Sequence, residues 1–103
     1  MAVAWVQEFE IGDRSTTNFD FMTEQIGRGP FDGLIAHTAG FDDEAGVFRV
    51  FDIWESRGQA ERFFVEQIEP LMAQGPEAFP NPVTATEPPT RQGFYELHEL
   101  FTT

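Results

Sequence analysis

The segment from Val47 to Trp54, with the sequence VFRVFDIW, constrains the fold of this chain more than any other stretch. Its β-branched and aromatic residues are typical of a β-strand, in which successive side chains point to opposite faces of the sheet. One face then carries Phe48, Val50 and Trp54 with Asp52, and the other carries Val47, Phe51 and Ile53 with Arg49. Because a sheet with one wet face alternates apolar with polar residues, this strand needs cover on both sides.

Three further strands are predicted from runs of β-forming residues that end at turn signals. They are Val3 to Phe9, Gly33 to Phe41 and Gly93 to Phe101. The acidic loop Asp42 to Gly46 contains glycine and has the length of a hairpin connection. It therefore joins the second predicted strand to the strand that ends at Trp54.

The first helix is predicted to start at Thr17, after a polar turn at Gly12 to Thr16. Thr17 with Asp20 three residues later resembles a capping box, and apolar residues follow at helical spacing. Gly27 and the glycine and proline after it end this helix.

The second helix is predicted to begin after Ser56, because Gln59 three residues later completes a capping-box pattern. Its apolar stripe extends to Met72, and Pro70 within it predicts a kink or break since proline has no N–H to donate. The proline-rich stretch from Gln74 to Gln92 is interpreted as an ordered loop or lid with at most a short extended piece at Val83 to Thr86.

The order strand, helix, strand, strand, helix, strand predicts an α+β fold of the ferredoxin-like βαββαβ type, with an antiparallel sheet and both helices on one face. A length of 103 residues predicts one domain over residues 1–103. A domain this small has difficulty hiding an apolar surface that includes twelve Phe, so a second subunit or a ligand is expected.

The charge and the absence of cysteine exclude several classes of function. A formal net charge of −12 repels nucleic acid and anionic membranes, so no nucleic-acid or membrane partner is expected. No cysteine is present, which excludes disulfides, thiolate metal sites and a cysteine nucleophile. The residues from Met1 to Glu10 lack the pattern of a signal peptide, and a cytoplasmic location is the expectation.

The strand-to-helix joint Phe51 to Arg57, FDIWESR, and the segment Ile68 to Leu71, IEPL, resemble the dimeric α+β barrel superfamily, most closely its antibiotic biosynthesis monooxygenase-like domains. The resemblance implies a homodimer with two sheets packed face to face and a ligand cleft between sheet and helices. Trp54 occupies a position where these members often carry a tryptophan, and Gln7 stands where they use an amide side chain. The haem-degrading members place a histidine where this chain has Glu61 to Phe64, so haem binding is rejected.

Two polar residues in the apolar strands are the candidate catalytic groups. His37 titrates near neutrality and has small neighbours, which suits a general base; the alternative is a histidine that hydrogen-bonds within a packed strand. Asp52 shares the face of Trp54 and is interpreted as a carboxylate that orients His37 or substrate; the alternative is an ion pair with an arginine such as Arg62. Arg49 is predicted to form a salt bridge across a dimer interface.

Aromatic residues on several elements are candidate walls for a planar ligand. They are Trp5, Trp54, Phe51, Phe63, Phe64 and Tyr95; core packing is the alternative for all of them and the favoured interpretation for Phe63 and Phe64. His98 is placed in the last strand, at either an exposed edge or a pocket. Two histidines without metal-ligand spacing predict neither a metal site nor any cofactor.

Three functions from different classes remain open. The first is a cofactor-independent monooxygenase-like enzyme for an aromatic or polyketide-type substrate, with His37 as base, Asp52 and Gln7 as polar positioners and Trp54 as a ring wall. The second is a polyketide cyclase or isomerase on the same fold, which consumes no oxygen. The third is a non-catalytic dimer that binds a small hydrophobic ligand or acts in a stress response.

Overall fold

Four strands form one antiparallel sheet in the computed structural model, which describes residues 1–10, 14–85 and 87–103. They are β1 (Val3–Glu10), β2 (Leu34–Asp42), β3 (Val47–Trp54) and β4 (Arg91–Glu96). The spatial order β2-β3-β1-β4 places β3 and β1 in the centre and leaves β2 and β4 as edges. The predicted limits of the VFRVFDIW strand are confirmed.

The helices precede β2 and follow β3 along the chain. They are α1 (Thr17–Ile26), then α2 (Arg57–Phe63), which continues through a π-helical segment (Phe64–Ile68) into α3 (Glu69–Met72). A single 3₁₀ turn (Pro76–Ala78) follows. The chain is thus an α+β protein with a four-stranded antiparallel sheet, compatible with a ferredoxin-like fold. Among the described residues, no helix is long and apolar enough to cross a bilayer.

The two faces of β3 differ in their cover. Phe48, Val50, Asp52 and Trp54 are buried, whereas Val47, Arg49, Phe51 and Ile53 are half-buried. Ring contacts from the helices fall on the first set, since Phe19 of α1 contacts Phe48 and Phe63 of α2 contacts Trp54. We call this side the helix-covered face and the side of Phe51 the open face.

Arg49 on the open face finds its partners within its own chain. Its Nε lies 2.8 Å from Glu8 Oε2, and its Nη1 lies 2.9 Å from Asp42 Oδ2. Glu8 is the cross-strand neighbour of Arg49 on β1, so the sheet register itself supplies the countercharge. Arg49 therefore has two intrachain ion pairs, and its predicted bridge between two subunits stays a prediction.

The helix starts show one confirmed cap and one shifted cap. Ser56 Oγ accepts from the backbone N–H of Gln59 at 3.2 Å, which confirms the predicted cap of α2, and it also donates to Gln59 Oε1 at 2.8 Å. Helix α1 begins at Thr17 as predicted, but its cap position is Thr16. The Thr16 hydroxyl donates to Asp20 Oδ2 at 2.8 Å, so it satisfies a carboxylate rather than a helix N–H.

Pro70 does not break the second helix. The turn that precedes it widens into the π-helical segment, in which the N–H of Glu69 donates to the carbonyl of Phe64. Because proline has no N–H, the carbonyl four residues earlier, at Glu66, has no α-helical donor there. A single widened turn accommodates that loss, and the helix continues into α3 without the predicted break, so the irregularity is a π-helical turn.

The last strand ends earlier than predicted. β4 pairs with β1 from Arg91 to Glu96, and Glu96 already stands opposite Val3, the first residue of β1. One more hydrogen bond, from Leu97 N–H to the Ala2 carbonyl, closes the pairing at 3.0 Å. Beyond it, β1 offers no partner, so the residues up to Phe101 are not part of the sheet.

The proline-rich stretch is ordered against α1. Phe79 is 4% exposed and packs edge-on against Phe21 with ring centroids 5.4 Å apart. Asn18 donates to the Asn81 carbonyl and accepts from the Asn81 N–H, each at 2.9 Å. Residues 82–85 form turns rather than the extended piece considered at Val83 to Thr86. Thr86 itself, and Gly12 and Asp13 of the predicted turn before α1, lie outside the described residues.

Candidate functional site

The hairpin register brings the two predicted catalytic side chains together. Asp42 stands opposite Val47 at the closed end of the hairpin, and the same pairing places His37 opposite Asp52. Residues that face each other across a strand pair project to the same side of the sheet. His37 Nδ1 and Asp52 Oδ1 are 2.6 Å apart, the distance of a strong hydrogen bond.

Asp52 is the buried member of the pair. The residue is 5% exposed, and its second oxygen, Oδ2, accepts a long hydrogen bond of 3.4 Å from Trp54 Nε1. Both carboxylate oxygens therefore have a partner, as a buried charge requires. The alternative partner from the sequence, Arg62, lies 3.5 Å from Asp32 instead.

His37 is the accessible member of the pair. Its side chain is 45% exposed, and its ring lies nearly parallel to that of Phe19, with centroids 6.1 Å apart. The hydrogen bond to Asp52 raises the pKa of His37, burial opposes this shift, and the charge of Asp52 adds to it. In the neutral ring, Asp52 holds the proton on Nδ1, so the lone pair on Nε2 is free to accept a proton.

Trp54 belongs to the core rather than to an accessible pocket wall. It is 0% exposed and packs with Val3, Trp5 and Ala60 in one cluster. Its ring centroid lies 5.2 Å from that of Phe63. What Trp54 contributes to the site is therefore its indole N–H, which helps to hold Asp52.

The predicted binding residues divide between the two faces. Trp5 stands opposite Asp52 on β1, and Phe64 packs edge-on against it with centroids 6.1 Å apart. Gln7, opposite Val50, is half-buried on the same face. Tyr95, in contrast, pairs with Ala4 on the open face and is 52% exposed. His98 lies in a bend beyond β4 and is exposed, so the structure does not bring Tyr95 or His98 to His37.

One cross-strand row on the helix-covered face links the His37–Asp52 pair to a groove at the opposite edge of the sheet. The row consists of His37, Asp52, Trp5 and Phe94 on β2, β3, β1 and β4. The groove, called the edge groove below, has a volume of about 480 Å³ and is lined by Trp5, Arg57, Glu61, Phe64, Val65, Gln92, Gly93 and Phe94. Two strand spacings of about 4.8 Å each separate Asp52 from Phe94, so the groove and the pair are distinct places.

Sequence reasoning missed Arg57 and Phe94 of the edge groove. Arg57 stands directly after the Ser56 cap, and Phe94 alternates with Tyr95 on the last strand. The alternation already indicated that one of these two aromatic residues faces the helices. Which one does so depends on the β1–β4 register, and the sequence does not contain it.

Comparison with known proteins adds no assignment. No protein-family model matches the chain, and no curated protein matches it significantly. Within residues 1–10, 14–85 and 87–103, no group of three or more His, Cys, Asp or Glu side chains is arranged to hold a metal ion. The His37–Asp52 pair is thus the arrangement on which a chemical interpretation rests.

Proposed function

We propose that the His37–Asp52 pair is the acid–base centre of a cofactor-independent, monooxygenase-like enzyme that acts on an aromatic or polyketide-type substrate. The observation that carries this proposal is the 2.6 Å hydrogen bond between a buried carboxylate and a half-exposed imidazole. A histidine buried on both nitrogens would serve packing alone. This one presents Nε2, which makes no hydrogen bond to any described residue, and therefore has an atom available for proton transfer.

The first step assigned to the pair is removal of a proton from a phenolic O–H or an acidic C–H of the substrate by His37 Nε2. The imidazolium that forms keeps its Nδ1–H directed at Asp52, whose negative charge stabilises it. Trp54 acts as a positioning residue through its N–H to Asp52. Gln7 remains the proposed amide that steadies a polar intermediate.

The substrate anion then has enough electron density to react with O₂. For a hydroquinone, addition of O₂ to a ring carbon gives a peroxide anion, which takes the proton back from His37 Nε2 to form a hydroperoxide; loss of water then leaves a hydroxyquinone. One oxygen atom enters the product and the other leaves as water. All four electrons come from the substrate, so no external reductant is required.

The same pair also suits a cyclase or isomerase, because proton removal is followed there by return of a proton from His37 to another atom of the substrate. Oxygen uptake distinguishes a monooxygenase from a cyclase or isomerase.

We expect the wild-type protein to consume O₂ with candidate hydroquinones and His37→Ala to lose about 10²–10⁴-fold in rate. An oxygen electrode and product mass spectrometry measure both quantities.

Thr38→Ala is the matched control, since Thr38 is the next residue on β2 and its hydroxyl donates to the Phe51 carbonyl away from the pair. An unchanged rate in His37→Ala would refute the assignment. Turnover of an enolisable substrate under argon would instead favour the isomerase. Co-purification of a hydrophobic ligand without any product would identify a binding protein.

We further propose that the open face is the interface of a homodimer, the dimeric α+β barrel that the sequence resembles. Two observations support this interface. Phe51 and Ile53 of the central strand β3 are only half-buried, and Tyr95 of β4, on the same face, is 52% exposed. A second sheet packed on this face would remove these apolar atoms from water.

Analytical ultracentrifugation at micromolar concentration is expected to give the mass of two chains. Phe51→Glu places a charge in the proposed interface and should yield a folded single chain. Val83→Glu, at a residue that is 85% exposed in the proline-rich stretch, should leave the mass unchanged. A wild-type mass of one chain would overturn the proposed dimer.

A further inference from the structure

The edge groove has an aromatic floor built from two stacked rings. Trp5 and Phe94 lie nearly parallel, with an interplanar angle of 13° and centroids 5.3 Å apart. Phe64 stands edge-on to Trp5, and Val65, which is 55% exposed, forms an apolar rim. A volume of about 480 Å³ is in the range of small-molecule sites. Because Trp5 is only 8% exposed, Phe94, Phe64 and Val65 offer most of the apolar surface that a flat ligand would contact.

One guanidinium stands at this floor. The Cζ atom of Arg57 lies 4.6 Å from the centre of the Phe94 ring, a cation–π contact. A guanidinium that packs with its flat face on a ring keeps the N–H donors at its edge, which can bind a carboxylate in two parallel hydrogen bonds. Arg57 is the only cationic side chain that lines the groove within the described part of the chain.

The existing partner of Arg57 leaves most of these donors unused. Glu61, one helical turn later, approaches only Nε, at 3.7 Å, which is longer than a hydrogen bond. The side chains of Arg57 and Glu61 are 62% and 58% exposed, so their pairing is weak and readily exchanged. Gln92, on the opposite wall, adds an amide donor.

From these contacts we infer that the edge groove binds a planar aromatic carboxylate, with the ring on the Trp5–Phe94 floor and the carboxylate on Arg57. Arg57 alone supports the choice of an anion, because the net charge of −12 repels anions from the protein as a whole and Glu61 also lines the groove. The site is separate from His37, and the inference does not depend on the proposed reaction.

Isothermal titration calorimetry with 2-naphthoate and its neutral analogue 2-naphthylmethanol tests this inference. We expect the wild-type protein to bind the anion about tenfold more tightly, which is the order expected for a charge-assisted bidentate pair. Arg57→Gln should remove this preference, and Arg57→Lys should retain part of it. Glu61→Gln should increase the affinity for 2-naphthoate about threefold, because it removes the competing carboxylate.

Arg62→Gln is the matched control. Arg62 lies on the same helix, is also 62% exposed and pairs with one carboxylate, Asp32, but it does not line the edge groove. Amide NMR spectra locate the ligand: the signals of Val65, Gln92 and Gly93 should shift, and that of Gln67, which lines a second groove, should not.

Equal affinities for 2-naphthoate and 2-naphthylmethanol in the wild-type protein would overturn the inference. So would the absence of binding at millimolar 2-naphthoate, or an anion preference that persists in Arg57→Gln. If Arg57→Gln proves unfolded by circular dichroism, Glu61→Gln decides the question, because an unchanged or lower affinity in that variant contradicts a role for Arg57. Loss of oxygen uptake in His37→Ala bears on the proposed function alone.

Discussion

Trp54→Ala is expected to lower the free energy of unfolding by about 3–5 kcal/mol, the range for removing a large aromatic side chain from a core. Trp54 is the largest side chain that is completely buried, at 0% exposure. Its removal leaves a cavity beneath Phe63 and takes away the N–H that Asp52 Oδ2 accepts. A domain of this length has a total stability of about 5–15 kcal/mol, so the variant should be close to unfolding.

Urea denaturation followed by far-ultraviolet circular dichroism, at one fixed protein concentration, measures this loss. Trp54→Phe is the graded control, because it keeps an aromatic ring in the core but removes the indole N–H. We expect it to cost about 1–3 kcal/mol, from the smaller ring and from the loss of a donor to a buried carboxylate. A loss below about 1 kcal/mol in Trp54→Ala would contradict the place of this residue in the core.

Asp52→Asn is expected to reduce the rate of the proposed proton transfer by about 10²–10⁴-fold. Asp52 does not touch the substrate in this proposal; it is a positioning residue that keeps the proton on Nδ1 and stabilises the imidazolium. An amide at residue 52 is neutral, and it can present an NH₂ group to Nδ1, which favours the tautomer that blocks Nε2.

The pH profile distinguishes this role from a merely structural one. The hydrogen bond that His37 donates to Asp52 raises the pKa of His37, and the base form of His37 predominates above that pKa. In Asp52→Asn, the pKa of His37 should fall, so the acid limb of the rate profile should move to lower pH while the plateau decreases. A profile with an unchanged midpoint would show that Asp52 does not act through His37.

The double variant His37→Gln/Asp52→Asn adds a second criterion. Since Asp52 acts only through the imidazole, the double variant should be no slower than His37→Gln alone. Losses that multiply would mean that the two side chains act independently. Protein stability measured in parallel keeps a folding defect from being read as a catalytic one.

Much of the architecture is local and was therefore predictable from the residues. The alternation along Val47–Trp54 identified which side chains share a face, because the strand period of two is set by backbone geometry alone. The pattern at Ser56 and Gln59 predicted the start of α2 for the same reason, since a capping box joins residues only three apart.

Other local predictions failed where a neighbouring side chain or turn competed. The pattern predicted a capping box between Thr17 and Asp20. In the structure the cap position is Thr16, and its hydroxyl donates to Asp20. Pro70 was expected to kink or break the helix, and the irregularity is a widened turn from Phe64 to Ile68 without a break. In each case more than one local arrangement is compatible with the sequence pattern, and the pattern does not rank them.

Long-range pairing was decided by the tertiary structure. His37 and Asp52 are separated by fifteen positions, and their hydrogen bond exists because the hairpin register sets them opposite each other. A register shifted by one residue would have sent one of them to the open face. Likewise, Phe94 rather than Tyr95 meets Trp5 because β4 pairs with β1 from Arg91 onward.

Burial also reversed the expected role of Trp54. The strand alone placed it beside Asp52, and both a pocket wall and a core residue satisfy that placement. Packing of Phe63 and Ala60 from α2 closed the surface over the ring and left His37 as the accessible group. The side-chain period follows from each residue's own backbone, whereas exposure depends on which distant segments pack above it, and only the folded chain contains that information.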